Sequence, residues 1–159
     1  MRFLDTDDLK TGEIFLRLAK KTPADGEKQL VPAYHFTICR TLDGQAVGEC
    51  NLRIGHNDRL YYGGNIGYRV DEPYRGNHYA GKACLLLFKL AEKHGMKTLI
   101  ITCNPENRAS ARTCEYTGAV LEEIARLPED HDMYQRGERQ VCIYRITLNA
   151  QKVQKGPTH

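Results

Sequence analysis

The sequence predicts an α/β domain of the α+β kind, a mixed and mostly antiparallel sheet flanked by helices. Three observations predict it. Four β-like runs follow one another through hairpin-sized turns before residue 71. One long apolar helix then lies between two strand-length runs, the spacing of a crossover connection. Finally, 159 residues at 41% hydrophobic suffice for one full core and fall short of two. We therefore read residues 1–150 as a single domain and 151–159 as a polar tail.

Each element has its own signal. Residues 13–19 alternate through Ile14, Leu16 and Leu18, which favours a strand over the helix that leucine and alanine would also allow. Pro23, Gly26 and several charges make 20–30 a loop, and β-formers resume over 34–40. The turn Leu42-Asp43-Gly44-Gln45 closes a hairpin onto 46–54. A loop with His56, Asn57 and Asp58, a run around Tyr61 and Tyr62 and the Gly63-Gly64 pair lead to a strand over 66–70, completing an antiparallel meander.

Over 79–94, Lys82, Lys89, Glu92 and Lys93 share a stripe while Ala83, Leu86, Leu87, Leu90 and Ala91 cover the rest, with Gly95 as cap. That helix should pack on the sheet. Residues 98–103 are apolar without alternation, as in a strand buried on both faces, so 66–70 and 98–103 are expected as parallel neighbours. Asn104-Pro105-Glu106-Asn107 is a turn and cap before a helix over 108–116 that Gly118 ends. Strands are expected over 119–127 and 140–148.

Composition excludes several classes. The balance of 23 basic and 20 acidic residues gives +3, with no long run of like charge, so no nucleic-acid partner is expected. The N-terminus has no apolar targeting core and no stretch is apolar enough to span a bilayer, so no membrane partner is expected either. Six cysteines without a C-x-x-C spacing sit mostly in apolar runs, which reads as reduced thiols in a cytoplasmic protein with no metal site. Ser110 is the only serine and lacks a nucleophile-elbow context, and neither a P-loop nor a dinucleotide-binding order is present.

The most informative segment is Tyr74-Arg75-Gly76-Asn77-His78-Tyr79-Ala80, a tight turn between a strand and a helix. Such a turn gathers unpaired backbone N–H groups at the positive end of the helix dipole, which suits a phosphate or pyrophosphate.

Arg75 to Ala80 is similar to the acyl-CoA loop Arg/Gln-x-x-Gly-x-Gly/Ala of the GCN5-related N-acetyltransferase (GNAT) superfamily. Asn104-Pro105-Glu106-Asn107-Arg108-Ala109-Ser110, running on to Gly118, resembles the second hallmark, Asn-x-x-Asn-x-x-Ser/Ala, in the variant of the ribosomal-protein N-terminal acetyltransferase branch. The likeness is good over 66–127 and loose in the flanking strands, and the first 30 residues match poorly. Members usually place two helices between the first two strands to wall the acceptor site, and 20–34 hardly has room for two.

The resemblance implies acetyl-CoA as co-substrate and transfer of its acetyl group to a primary amine by direct attack. The acceptor is a small amine, an antibiotic-like amine or a protein N-terminus. It puts the pyrophosphate on Arg75, Gly76, Asn77, His78, Tyr79 and Ala80, with His78 where the family prefers glycine. A backbone N–H of the strand end, Tyr68 to Val70, would face the thioester carbonyl, the strand pair would splay to admit the pantetheine arm, and Asn107 and Ser110 would face the cofactor. The family's usual acid, a tyrosine four residues before the motif glycine, is Cys114 here, and Tyr116 or Tyr134 are alternatives. Glu49 is the candidate base, ahead of His56 and Glu72, and the acidic 129–134 stretch falls where the family shapes its acceptor pocket. A homodimer through the last strands follows from family habit. A second reading of the same motifs is a non-catalytic acyl-CoA sensor or structural protein.

Overall fold

The computed structural model describes residues 1–148. The expected tail at 151–159 lies outside them. Seven strands form one sheet: β1 Ile14–Thr22, β2 Ala33–Arg40, β3 Ala46–Arg53, β4 Ile66–Val70, β5 Thr98–Cys103, β6 Val120–Arg126 and β7 Gln140–Thr147. Their order is β1-β2-β3-β4-β5-β7-β6. Four helices accompany them, α1 Asp58–Gly63, α2 Tyr79–Lys93, α3 Arg108–Tyr116 and α4 Asp132–Gln135, with a 3-10 turn at Glu72–Tyr74. All pairings are antiparallel except β4 with β5, so the mixed sheet with one parallel pair agrees with the sequence.

Two segments differ from expectation. β1 runs on to Thr22, through the charged residues assigned to a loop, because β2 is present to pair with them after a register shift between Leu18 and Lys20. Cross-strand pairing outweighs the low β-propensity of lysine. The run around Tyr61 and Tyr62 is helix α1, capped by the Asn57 side chain, which accepts from the Leu60 N–H. No helix lies between β1 and β2, only a short connection bridged at Asp25 and Leu30.

α2 buries Ala83, Cys84, Leu86, Leu87, Leu90 and Ala91 against one face of the sheet, over Ile14, Phe36, Leu52, Leu99 and Ile101. Ile100 points the other way into a smaller cluster with Leu127, Val141 and Ile143, closed by Tyr61, Tyr62, Met133 and Tyr134. β5 is thus buried on both faces, as its unbroken apolar run requires.

The join between β4 and β5 positions the site. Only Ile66 and Ile101 pair across it. Just before that bridge, the fully buried Asn65 binds both sides: its Nδ2 donates to the Arg53 and Gly55 carbonyls, its Oδ1 accepts from Ile100 N–H, and its own N–H donates to Ile100 O. Gly64, at φ 86°, lets the chain come so close to Thr102 that a Cβ would stand 3.3 Å from its nitrogen. Beyond Ile66 the two strands separate.

A partly buried polar triad fastens the N-terminus. Tyr34 Oη accepts from Leu4 N–H at 2.8 Å and lies 2.5 Å from His94 Nε2. With one proton already received, the phenol donates to a neutral imidazole, and burial holds the His94 pKa below its ordinary value. The unfolded chain therefore binds more protons than the native one between the lowered pKa and the unperturbed value of about 6.5. Stability is full above that window and declines as pH falls through it. Denaturant unfolding between pH 7.5 and pH 5.5 is expected to show this loss, and His94→Gln should flatten the slope, with His35, also shifted downward by burial, supplying the remainder.

Candidate active site

The separation of β4 and β5 opens a cleft of about 490 Å³, floored by β4 and walled by the start of α2 and one side of α3. Along β4, Asn65 to Asp71 alternate partners: Arg53 N–H donates to Asn65 O and Asp71 N–H to Val47 O, so the odd-numbered residues bond toward β3. The N–H groups of Tyr68 and Val70 therefore face the other way, into the gap that β5 has left.

At the cleft's end the chain turns through Arg75 and Gly76 into α2. Gly76 sits at φ 93° with open space where a Cβ would project, and the N-cap His78 is left-handed at φ 61°. The first intrahelical bond runs from Lys82 N–H to His78 O, so the N–H groups of Tyr79, Ala80 and Gly81 have no helical partner. Arg75 Nε donates to Val70 O at 2.9 Å, holding the turn to the strand end.

α3 shows the cleft the stripe Ala109, Arg112, Thr113 and Tyr116, the spacing of one helical face. Asn107 caps it, its side chain accepting from Ser110 N–H at 3.0 Å. Tyr116 lies across Gly81, where a Cβ would stand 2.3 Å from its Cδ1, and stacks on His78 with ring centroids 4.8 Å apart. The lining contains Arg75 and Arg112 and no carboxylate, Arg69 being paired with Glu49 and Asp71, so the cleft favours an anion.

Nine of the ten cofactor candidates line this cleft: Tyr68, Val70, Arg75, Gly76, His78, Tyr79, Ala80, Asn107 and Ser110. Asn77 does not, and its side chain donates to Tyr74 O. Of the four catalytic candidates only Tyr116 lines it. Cys114 is fully buried on the opposite face of α3 from Tyr116. Tyr134 sits on α4, beyond the sheet, with the Arg139 guanidinium 3.9 Å from its ring centre. Glu49 is on β3, exposed and paired with Arg69 at 2.7 Å. The loop alternative His56 and the 3-10 residue Glu72 are both exposed.

Sequence reasoning missed the Tyr68 side chain. Its hydroxyl lies 2.6 Å from Ser110 Oγ and 3.9 Å from Cys114 Sγ, so a phenol from β4 reaches over the position where the helix carries cysteine. Burial and the neighbouring Cys114 push the Tyr68 pKa well above its ordinary value and keep the hydroxyl protonated. Beneath it, the neighbouring thiols Cys103 and Cys114 shift apart, Cys114 upward through Cys103 and its own burial and Cys103 downward through Cys114. Arg112 was missed too, although its helical register with Ala109 and Tyr116 carries the signal.

A sequence profile described as "Acetyltransferase (GNAT) domain" matches residues 2–120. No curated protein matches. Among solved structures, the microcin C7 self-immunity acetyltransferase MccE, in complex with acetyl-CoA and AMP, is 21% identical at TM-score 0.58 over 72% of this chain and 61% of that one. A GNAT-family acetyltransferase from Bacillus anthracis is 21% identical at TM-score 0.59, over 72% and 66%. RimL, a ribosomal L7/L12 alpha-N-protein acetyltransferase solved with coenzyme A, is 16% identical at TM-score 0.66 over 92% of this chain and 99% of that one. The chain thus spans under two thirds of the first two, and at these identities the likeness is one of fold.

The seating of Tyr116 on Gly81 can be checked directly. Gly81→Ala should push the ring off α2, so the ring-current shift that Tyr116 imposes on the His78 imidazole protons is expected to vanish in NMR spectra while the fold remains.

Proposed function

The chain belongs to the GNAT acetyltransferase family, and from that premise we propose that it is an acetyl-CoA-dependent N-acetyltransferase that moves the acetyl group directly to a primary amine within a ternary complex. The observation that carries this reading is the parted β4–β5 pair, with the Tyr68 and Val70 N–H groups along one side, an uncapped helix start at its end, and Arg75 and Arg112 in the lining. These residues fit the cofactor: the free N–H groups at 79–81 and the open side of Gly76 suit a pyrophosphate, and the gap suits an extended arm with amide groups of its own.

In this reading the amine nitrogen attacks the thioester carbonyl and gives up a proton. The negative charge on oxygen is received by the Tyr68 N–H, an oriented donor that needs no rearrangement. As the carbon–sulfur bond breaks, the departing thiolate takes the proton of the Tyr68 hydroxyl, with Ser110 holding that hydroxyl in place. Tyr68 replaces Cys114 as the acid. Tyr116 closes the cleft mouth with His78, Tyr134 belongs to the acceptor side, and Glu49 is the carboxylate we assign as base.

The neighbours differ in what their descriptions name, a ribosomal protein for RimL and microcin C7 immunity for MccE, so fold likeness leaves the acceptor open between protein and small amine. The six cysteines, all unpaired and buried, support a reduced, cytoplasmic protein. Among the described residues β6 is a sheet edge with Val120, Leu121 and Ile124 exposed, and we place the homodimer contact there. The sensor reading differs from this one in a single observable: it binds acetyl-CoA and releases no thiol with any amine.

Gly76→Glu puts a bulky anion into the cradle, and titration calorimetry is expected to lose acetyl-CoA binding; unchanged affinity would sink the cradle assignment. Tyr68→Phe should lower kcat roughly 10–100-fold with the acetyl-CoA KM unchanged. That defect should shrink when acetyl-selenoCoA is the donor, since a selenolate departs without needing a proton. Cys114→Ala should stay within a few-fold of the parent.

A further inference from the structure

The two faces of the sheet are covered unequally. α2 lies along one face of β1–β4, and the opposite face of β5–β7 carries the cluster closed by Tyr61, Tyr62, Met133 and Tyr134. On that same opposite face, no helix lies over β1–β4 among the described residues. Register defines its rows. Arg17, Thr37, Glu49 and Arg69 stand side by side across the four strands, and Lys20, His35, Asn51 and Gly67 form the next row. All eight are half-buried or exposed and none belongs to a hydrophobic cluster.

This floor is about 14 Å wide, from three interstrand spacings, and it ends at β4, the strand whose far edge lines the parted gap. Small molecules bind in concave sites that enclose most of their surface. A flat, uncovered floor beside a reaction gap instead suits a chain laid across it, with its end entering the gap.

The floor's charge selects which chain. Arg69 is balanced by Glu49 and Asp71, both ion-paired to it. Arg17 and Lys20 have no acidic partner among the described ion pairs. Arg53, one step along β3, gives its Nη1 to the Gly63 and Gly64 carbonyls and also has no carboxylate partner. His35, opposite Lys20 on β1, is held below its ordinary pKa by burial first and then by Lys20 and Arg53. On the wall formed by α1 and α4, Asp132 is paired with Arg59 at 2.7 Å. The floor also holds a buried polar atom without a partner, Asn51 Oδ1, on a carboxamide lying over Gly67, where a Cβ would stand 2.9 Å from Nδ2. Such an atom is an acceptor for an incoming N–H.

Resting on the transferase reading, we infer that the uncovered face of β1–β4 binds the acceptor, and that the acceptor is an extended polypeptide with acidic residues downstream of the amine it presents. The carboxylates lie over Arg17, Lys20 and Arg53, and the N-terminal amine passes Gly67 into the gap.

The experiment measures thiol release from acetyl-CoA with acidic, neutral and basic peptides sharing one N-terminal residue, and with free polyamines. It uses the full chain and its Arg17→Glu/Lys20→Glu variant. The acidic peptide is expected to have the lowest KM, rising with salt. In the variant that KM should rise roughly ten-fold, with kcat and acetyl-CoA affinity unchanged. Amide shifts of Thr37, Asn51 and Gly67 on titrating the acidic peptide should locate it without any turnover. Equal or better turnover of basic peptides or polyamines, or a variant KM like the parent's, overturns this inference and leaves the transferase standing. Acetyl-CoA binding without release on any acceptor overturns the transferase reading, and absent amide shifts in that same sample overturn the docking face as well.

Discussion

The site depends on where two neighbouring strands stop bonding. A sheet left to itself would zip β4 to β5 along its full length, since every unpaired backbone group facing the interior is costly. Asn65 concentrates the contact at one point. Its side chain and backbone take up groups of β3, β5 and the intervening loop, so the strands are fixed together just before they diverge. Past Ile66 and Ile101 the N–H groups of Tyr68 and Val70 are left facing a gap with water or a ligand to satisfy them. The helix start, the arginines and the α3 stripe all converge on that gap because α2 and α3 follow directly from β4 and β5.

The fold was legible in the sequence wherever a period or a turn residue was strong. The apolar stripe of α2, the unbroken run of β5, and the two turns entering α2 and α3 placed the crossover, and with the family resemblance they gave ten cofactor candidates of which nine line the cleft. What stayed hidden was decided by partners. Lys20 to Thr22 carry no strand signal and are strand only because β2 runs beside them. The Tyr61–Tyr62 run is too short for its period to distinguish helix from strand, and the Asn57 cap decides it.

Within the site, the same logic separates what was read from what was missed. The turn into α2 was read from local chemistry and the strand-end N–H groups from the family resemblance, and both border the cleft. Side-chain roles need the third dimension: a tyrosine on β4 reads as an ordinary β-former until its hydroxyl is seen beside Ser110. Cys114 was weighed by its distance from Gly118, yet its helical register puts it back to back with Tyr116, so both could not face the cleft. Glu49, the candidate base, stands on the polar face with Arg69.

Strand order also divides the molecule by how far along the chain each contact reaches. β1 to β4 pair in the order in which they occur, through short connections, whereas β7 inserts between β5 and β6 and is joined to its neighbours across longer stretches. Contacts close in sequence cost least loop entropy, and the meander and the β5–β7 group each hydrogen-bond mostly within themselves while one core cluster under α2 joins them. The seam between them is the Ile66–Ile101 bridge with the Asn65 clamp. A gap located on such a seam is bounded on each side by strands that bond within their own group, so a long, bulky ligand can enter edgewise without melting any strand.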